Sequence, residues 1–216
     1  MQRLELVHDW LARQFPGRPL SVAPASADAS FRRYFRVTFD DGLTRIVMDA
    51  PPEQEDCRPF VHVAGLLHEA GVHAPEILAE DLERGLLLLT DLGSTTYLDA
   101  LDASNADVLF RDALDALVKW QLASRPDALP PYDEALLRRE LNLFPDWYVA
   151  RHLGSPLTAP QQEVLEQVQA LLLQNILAQP RVFVHRDYMP RNLMVCADNP
   201  GVLDFQDAVH GPISYD

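Results

Sequence analysis

An α+β fold, β-rich in its N-terminal part and helical beyond it, is what this sequence predicts. Three observations carry that expectation. Apolar and charged residues alternate through "SFRRYFRVTF" before a second run, "TRIVMDA", long helical patterns take over after Ser94, and "VFVHRDYMPRNLMV" sets a polar cluster between two apolar runs late in the chain. The 216 residues, 48% of them hydrophobic and 23% charged, suffice for one large core or two modest ones.

The elements follow in order. "MQRLELVHDWLARQF" has polar residues every third or fourth position, so it reads as an amphipathic helix; it lacks the apolar stretch of a secretory signal. "SFRRYFRVTF" and "TRIVMDA" flank Asp40, Asp41 and Gly42, whose turn chemistry makes the pair a hairpin. "DCRPFVHVAGLLHEAG" places Phe60, Ala64, Leu66 and Leu67 on one helical face, with Gly71 as its stop. "PEILAED" and "GLLLLTDLG" form a second strand pair, the fully apolar one central. Ser104 and Asp107 resemble a capping box opening a helix that reaches about Ser124. A helix over "DEALLRRELNLFPDWYVARHL" should kink or break at Pro145. "APQQEVLEQVQALLLQNILAQP" carries Val164, Val168, Leu171 and Leu172 at helical spacing. After it come "VFV", the polar loop, "LMVC", the turn "ADNPG" and "VLDF", which puts Asp204 on a strand.

Charge and composition exclude several functions. A formal charge of −14 argues against broad contact with a phosphate backbone, so no nucleic-acid partner is expected. No apolar run reaches transmembrane length, and no membrane partner is expected. Cys57 and Cys196 lie far apart without C-x-x-C spacing, which suggests neither a disulfide framework nor a zinc site. The chain is expected to be a cytoplasmic monomer.

The polar loop carries the chemistry. Asp187 follows His185 by two residues and precedes Asn192 by five, and Asp204 stands twelve beyond Asn192. Phosphoryl transfer needs a carboxylate to hold and deprotonate the acceptor hydroxyl, and hard oxygen ligands for Mg²⁺. The pattern H-R-D-x-x-x-x-N followed by D-F fits that set, with His185 as a loop brace beside the base.

"HRDYMPRNLM", "VLDFQDAVHGPISYD" and "LLLLTDLG" resemble the aminoglycoside phosphotransferase and choline kinase family of small-molecule kinases. More narrowly, "DASFRRYFRV", "IVMDAPPEQED" and "DFQDAVHGPISYD" resemble its bacterial anomeric sugar kinases of cell-wall recycling. The resemblance runs from about residue 28 to the end. It implies a protein-kinase-like two-lobed fold, with residues 1–90 as the nucleotide-binding lobe and 91–216 as the catalytic lobe. It also implies ATP and Mg²⁺ as cofactors and a small-molecule amino sugar, N-acetylmuramate or N-acetylglucosamine, as substrate. Asp187 is then the catalytic base, Asn192 and Asp204 the metal ligands, and residues 89–92, with Leu89, Asp91 and Leu92, the hinge that reads adenine.

The sequence departs from the family pattern in two places. Its one lysine is Lys119, inside a helical pattern, so the strand lysine that usually grips ATP phosphates is missing and Met48 and Asp49 stand where it would be sought. Arginine is the available substitute: Arg32, Arg33, Arg36 and Arg45 lie on the hairpin, with Arg32 and Arg36 on one face beside Tyr34, and Arg33 on the other with Phe31 and Phe35. Glu53, Glu55 and Asp56 are candidate partners for such an arginine, and a solvated loop is the simpler expectation for them. "ASADAS", residues 25–30, replaces a glycine-rich loop. The second departure is the end at "GPISYD", where the family continues into further helices that complete the acceptor pocket. Glu140, Asp146 and Trp147 offer acceptor contacts or core packing, and their helical spacing favours packing.

Overall fold

The computed structural model describes residues 2–26 and 31–216, with the expected α+β composition. Residues 27–30, most of the "ASADAS" segment, lie outside the described residues. Contacts divide the chain into two compact units, one of Met1–Trp120 with Asp187–Asp207, the other of Gln121–Arg186 with Ala208–Asp216.

The first unit opens with helix α1 (Gln2–Gln14) and a five-stranded antiparallel sheet of β1 (Leu20–Ser26), β2 (Arg33–Phe39), β3 (Thr44–Asp49), β4 (Ile77–Asp81) and β5 (Leu86–Thr90). The strand order is β1-β2-β3-β5-β4. The β2–β3 hairpin turns where Asp40, Asp41 and Gly42 predict, with Gly42 at φ +82° and the Asp41 carboxylate accepting the Leu43 N–H at 3.0 Å. Strand β5 is interior, and all four of its leucines are buried.

Strand β1 is not legible in the sequence, because "LSVAPAS" has little β propensity and contains Pro24. It survives at the sheet edge, where a missing N–H costs no ladder bond, and the register shifts between Pro24 and Ser26.

Alternation along β2 sends Phe35, Val37 and Phe39 into a core with Val7, Trp10 and Leu11 of α1 and with Val47, Leu86 and Leu88. Val7 and Leu11 are fully buried, which contributes about 1.5–3 kcal/mol each. On that same face Asp49, wholly buried, pairs with Arg3 of α1 and Arg33 of β2, its cross-strand partner. Arg3 Nε lies 3.0 Å from Asp49, and its Nη2 donates to the Arg84 carbonyl at 2.9 Å. The turn before β5 needs glycine: Gly85 sits at φ +67°, and a Cβ there would lie 1.8 Å from the Ala50 carbonyl oxygen.

Helix α2 (Arg58–Glu69) buries Phe60, Ala64, Leu66 and Leu67, as the periodicity predicts. Gly71, at φ +69°, ends it, with its N–H donating to the His68 carbonyl and that of Val72 to the Leu67 carbonyl. Beyond the sheet, Thr96 caps the short helix α3 (Tyr97–Ala100) through a reciprocal pairing with Asp99. Helix α4 spans Ala106–Leu122. Its start differs from expectation: Asp102 and Asn105, not Ser104 and Asp107, supply the caps, Asp102 accepting the Ser104 and Asn105 N–H groups and Asn105 Oδ1 that of Asp102. An aspartate at the turn satisfies two amides at once, which a serine hydroxyl two residues later cannot do.

In the second unit, helix α5 (Glu134–Leu141) ends before Pro145, and a π-helical segment, Phe144–His152, follows. Proline therefore breaks the α-helix as predicted, and the chain resumes with wider hydrogen bonding, the Leu153 N–H reaching the Tyr148 carbonyl. The packing expected for Trp147 is overturned: it is 56% exposed, with the Arg151 guanidinium 3.9 Å from its ring centroid. A wider helical turn rotates side chains away from the 3.6-residue register on which the expectation rested. Helix α6 (Ala159–Leu177) turns Gln169 and Leu173 inward and leaves Val164, Val168, Leu171 and Leu172 exposed.

Strand β6 (Arg181–Val184) pairs with β9 (Val209–Pro212), and Tyr132, Leu137, Leu173, Val184 and Val209 form this unit's core. The first unit holds the late hairpin, shorter than expected, of β7 (Leu193–Met194) and β8 (Gly201–Val202).

Candidate active site

The β7–β8 hairpin positions the three motif residues. Strand β8 ends at Val202, so Asp204 lies off the strand, a correction to the expected placement; its φ of +62° is a left-handed conformation that aspartate tolerates better than most residues. The Leu203 N–H donates to the Asn192 carbonyl at 2.9 Å, which ties this bend to the 3₁₀ turn Pro190–Asn192. Asn192 Nδ2 then donates to the Asp187 carbonyl at 2.9 Å and lies 3.4 Å from Asp204 Oδ2. Sequence reasoning missed Gln206, whose Nε2 donates to Asp204 Oδ1 at 3.0 Å, and Tyr188, whose hydroxyl donates to the Ala113 carbonyl at 2.6 Å and moors the loop to α4. Their adjacency to the motif is the one signal the sequence holds for either.

A cavity of about 510 Å³ opens within the first unit. Asp187, Asn192 and Asp204 line it together with Leu89, Asp91, Leu92 and Arg36. Strand parity carries Tyr34 and Arg36 of β2 to this cavity, opposite the α1 core.

The arginines separate sharply. Arg33 is turned to the α1 face, where it holds Asp49, and is not among the cavity-lining residues. Arg36 makes a two-point pair with Asp91, at 2.6 and 3.0 Å, and reaches the Gly93 carbonyl at 2.7 Å. Arg32 lies 3.8 Å from Glu55, so this acidic residue takes a partner where a solvated loop was the simpler expectation. Arg45 donates to the Thr44 carbonyl.

Burial raises the pKa of the Asp91 carboxyl, but hydrogen bonds from Arg36 and the Gly93 N–H outweigh it and hold the group below the usual carboxylate range. The hydrogen bond to Asp91 correspondingly raises Arg36. The Leu92 N–H and the Asp91 and Leu92 carbonyls make no hydrogen bond to the described residues, leaving a short polar backbone edge in a cavity to which Ile46, Phe60 and Leu89 contribute apolar surface.

Residues leading into the loop belong to the second unit. Arg186 has φ +78°, uncommon for a long side chain, and Asp216 secures this conformation by accepting the His185 and Arg186 N–H groups at 2.6 and 2.8 Å. Arg186 also pairs with Glu140 at 2.5 Å, and Glu140 accepts the Tyr132 hydroxyl. Burial, then Glu140, pushes the Tyr132 phenol upward. Glu140 is thus a brace.

Asn192 Oδ1 makes no hydrogen bond to the described residues, and with the Asp204 carboxylate it offers the hard oxygen donors that Mg²⁺ prefers. No group of three or more His, Cys, Asp or Glu able to hold a metal occurs among the described residues.

Residues 21–216 match the phosphotransferase enzyme family. The chain belongs to it. This family member is 63% identical over 198 residues to an N-acetylmuramate/N-acetylglucosamine kinase of Pseudomonas aeruginosa, a match covering 92% of this chain and 58% of the relative. It is 59% identical over 196 residues to the enzyme of the same name from Pseudomonas putida, covering 91% and 58%. The chain therefore spans less than two thirds of the length of these curated relatives. An ADP-bound aminoglycoside phosphotransferase matches it with a TM-score of 0.66 at 14% identity, covering 98% of this chain and 73% of that one. That likeness shows the protein-kinase-like α+β fold which the sequence resemblance implies.

Proposed function

We propose that this chain carries the nucleotide site and catalytic loop of an ATP- and Mg²⁺-dependent kinase that phosphorylates the anomeric hydroxyl of N-acetylmuramate or N-acetylglucosamine in peptidoglycan recycling. One observation carries the reading: Asp187, Asn192 and Asp204 converge on a single cavity in a chain 63% identical to a kinase named for those two sugars. In this reading residues 1–90 form the nucleotide-binding lobe, residues 91–216 belong to the catalytic lobe, and the enzyme works as a cytoplasmic monomer.

The backbone edge at Asp91 and Leu92 pairs with the adenine, while Leu89 and the neighbouring apolar wall hold its faces. Arg32, which directly precedes β2, pairs with Glu55 and is not itself among the cavity-lining residues, replaces the missing lysine at the phosphates. Asn192 and Asp204 hold Mg²⁺, which supplies charge neutralisation for the phosphates when bound. Asp187 takes the proton of the anomeric hydroxyl as its oxygen bonds to the γ-phosphorus and the β-phosphate oxygen departs, giving ADP and a sugar 1-phosphate. A hemiacetal hydroxyl is more acidic than an ordinary alcohol, which suits a carboxylate with no lysine beside it; Met189 stands two residues after Asp187.

The test compares free N-acetylglucosamine with its methyl glycoside, whose anomeric oxygen is blocked, in an ADP-release assay with MgATP. Turnover of the free sugar alone is expected. Equal phosphorylation of both places the acceptor at another hydroxyl.

A further inference from the structure

Arg36 is the arginine that β2 brings to the wall of a cavity also lined by Arg191, yet its hydrogen bonds run to one short segment. Nε and Nη2 donate to the two oxygens of Asp91, and Nη2 also donates to the Gly93 carbonyl. Asp91 Oδ1 accepts in turn the Gly93 N–H at 3.0 Å. A closed circuit results, from β2 through one carboxylate to both polar groups of a glycine at φ +97°. The Asp91 side chain is 4% exposed, so a guanidinium that swung away to meet phosphate would leave a buried carboxylate without its charged partner, held only by the Gly93 N–H and the Thr44 hydroxyl. The sheet register gives a second, independent indication: Arg36 is paired with Ile46 and Ile46 with Leu89, which puts Arg36 in line with a residue two positions before the free backbone edge.

We propose that Arg36 is a positioning residue for the nucleobase and not a phosphate ligand. It clamps Asp91–Gly93 so that the Leu92 N–H and the adjoining carbonyls face the base in a fixed register. The inference rests on the nucleotide-binding reading above and assigns the one cavity-lining arginine of β2 a task that the charge of ATP would not suggest. Its chemistry is geometric: a planar fork matches a carboxylate at two points, and an ammonium cannot.

Calorimetric titration of adenosine and of MgATP into the wild type, Arg36→Ala, Arg36→Lys and Asp91→Asn separates the two roles, with a melting curve of each variant as a control. Adenosine has no phosphate, so a clamp predicts that all three substitutions weaken adenosine and MgATP by the same factor, on the order of tenfold to a hundredfold, the loss expected for charge-assisted hydrogen bonds. A phosphate role predicts instead that Arg36→Ala weakens MgATP alone and that Arg36→Lys restores it; either result overturns the clamp, as do three variants that bind both ligands normally. Should Arg36→Ala fail to fold, Asp91→Asn, which is isosteric, carries the same comparison. A wild type that binds neither adenosine nor MgATP overturns the nucleotide reading itself, a result distinct from any change in the ratio of the two affinities.

Discussion

Replacing Arg3 by alanine should destabilise the protein far more than replacing any exposed arginine. Asp49 is wholly buried and is held by two guanidiniums, Arg3 and Arg33, whose side chains are 28% and 48% exposed. Arg3→Ala removes the more sheltered of the two, together with the hydrogen bond to the Arg84 carbonyl that ties α1 to the turn before β5. Hydrogen bonds to charged groups are worth about 1.5–3 kcal/mol each, and breaking one partner of a buried ion pair costs about 3–5 kcal/mol. Arg33 remains and offsets part of the loss, which leaves about 3 kcal/mol. For a chain of this size each kcal/mol lowers Tm by about 2–4 °C, so a drop of about 6–12 °C follows. Arg58→Ala is the control: its pair with Asp56 joins side chains 79% and 50% exposed, a class that contributes little to stability, so Tm should fall by no more than about 4 °C. Urea and thermal unfolding followed by circular dichroism measure both. Equal shifts for the two variants would refute the argument that burial of Asp49 decides the cost.

Four further outcomes are expected. Asp187→Asn should cut turnover by about a hundredfold to ten-thousandfold while calorimetric MgATP affinity stays within about twofold, since the base acts on the acceptor. Nucleotide should raise Tm only when Mg²⁺ is present, and Asp204→Asn should abolish that metal dependence in the same melting assay. Gly85→Ala, whose Cβ would overlap the Ala50 carbonyl at 1.8 Å, should destabilise by more than about 2 kcal/mol in urea unfolding. Asp91 has a folded pKa below its unfolded value, so its contribution to stability is complete above the unfolded value and is lost as pH falls through the folded one; urea midpoints of wild type and Asp91→Asn should therefore keep a constant gap from pH 8 to about pH 5 and converge only below about pH 4.

Much of the site was legible because its parts are close in sequence. Asp187, Asn192 and Asp204 fall within one loop and one hairpin, and local spacing fixes which elements carry them. Alternation likewise predicted that Arg33 would face away from Arg36 and Tyr34, and the sheet separates them so. Long-range pairing was opaque. Nothing near Arg36 names Asp91, 55 residues on, and nothing near Asp49 names Arg3, 46 residues before it. Strand β1 escaped because edge position, a tertiary property, is what permits its proline. The exposure of Trp147 escaped because a π-helical turn departs from the 3.6-residue register, and the spacing along α6 reports which residues share a side and not whether that side is covered.

The left-handed backbone at Asp204 bears on which residues that position can accept. Asparagine, aspartate and glycine enter this region with little penalty, and most other side chains do not. Of those three only aspartate carries a charge. Conformation and charge therefore converge independently on a single amino acid, and one substitution separates them: asparagine keeps the bend and discards the carboxylate. An exchange to glutamate does the reverse, preserving charge on a residue ill suited to the bend, and so should impair the site even though it is chemically the more conservative change. Tolerance at this position would rank by backbone preference before it ranked by likeness of side chain.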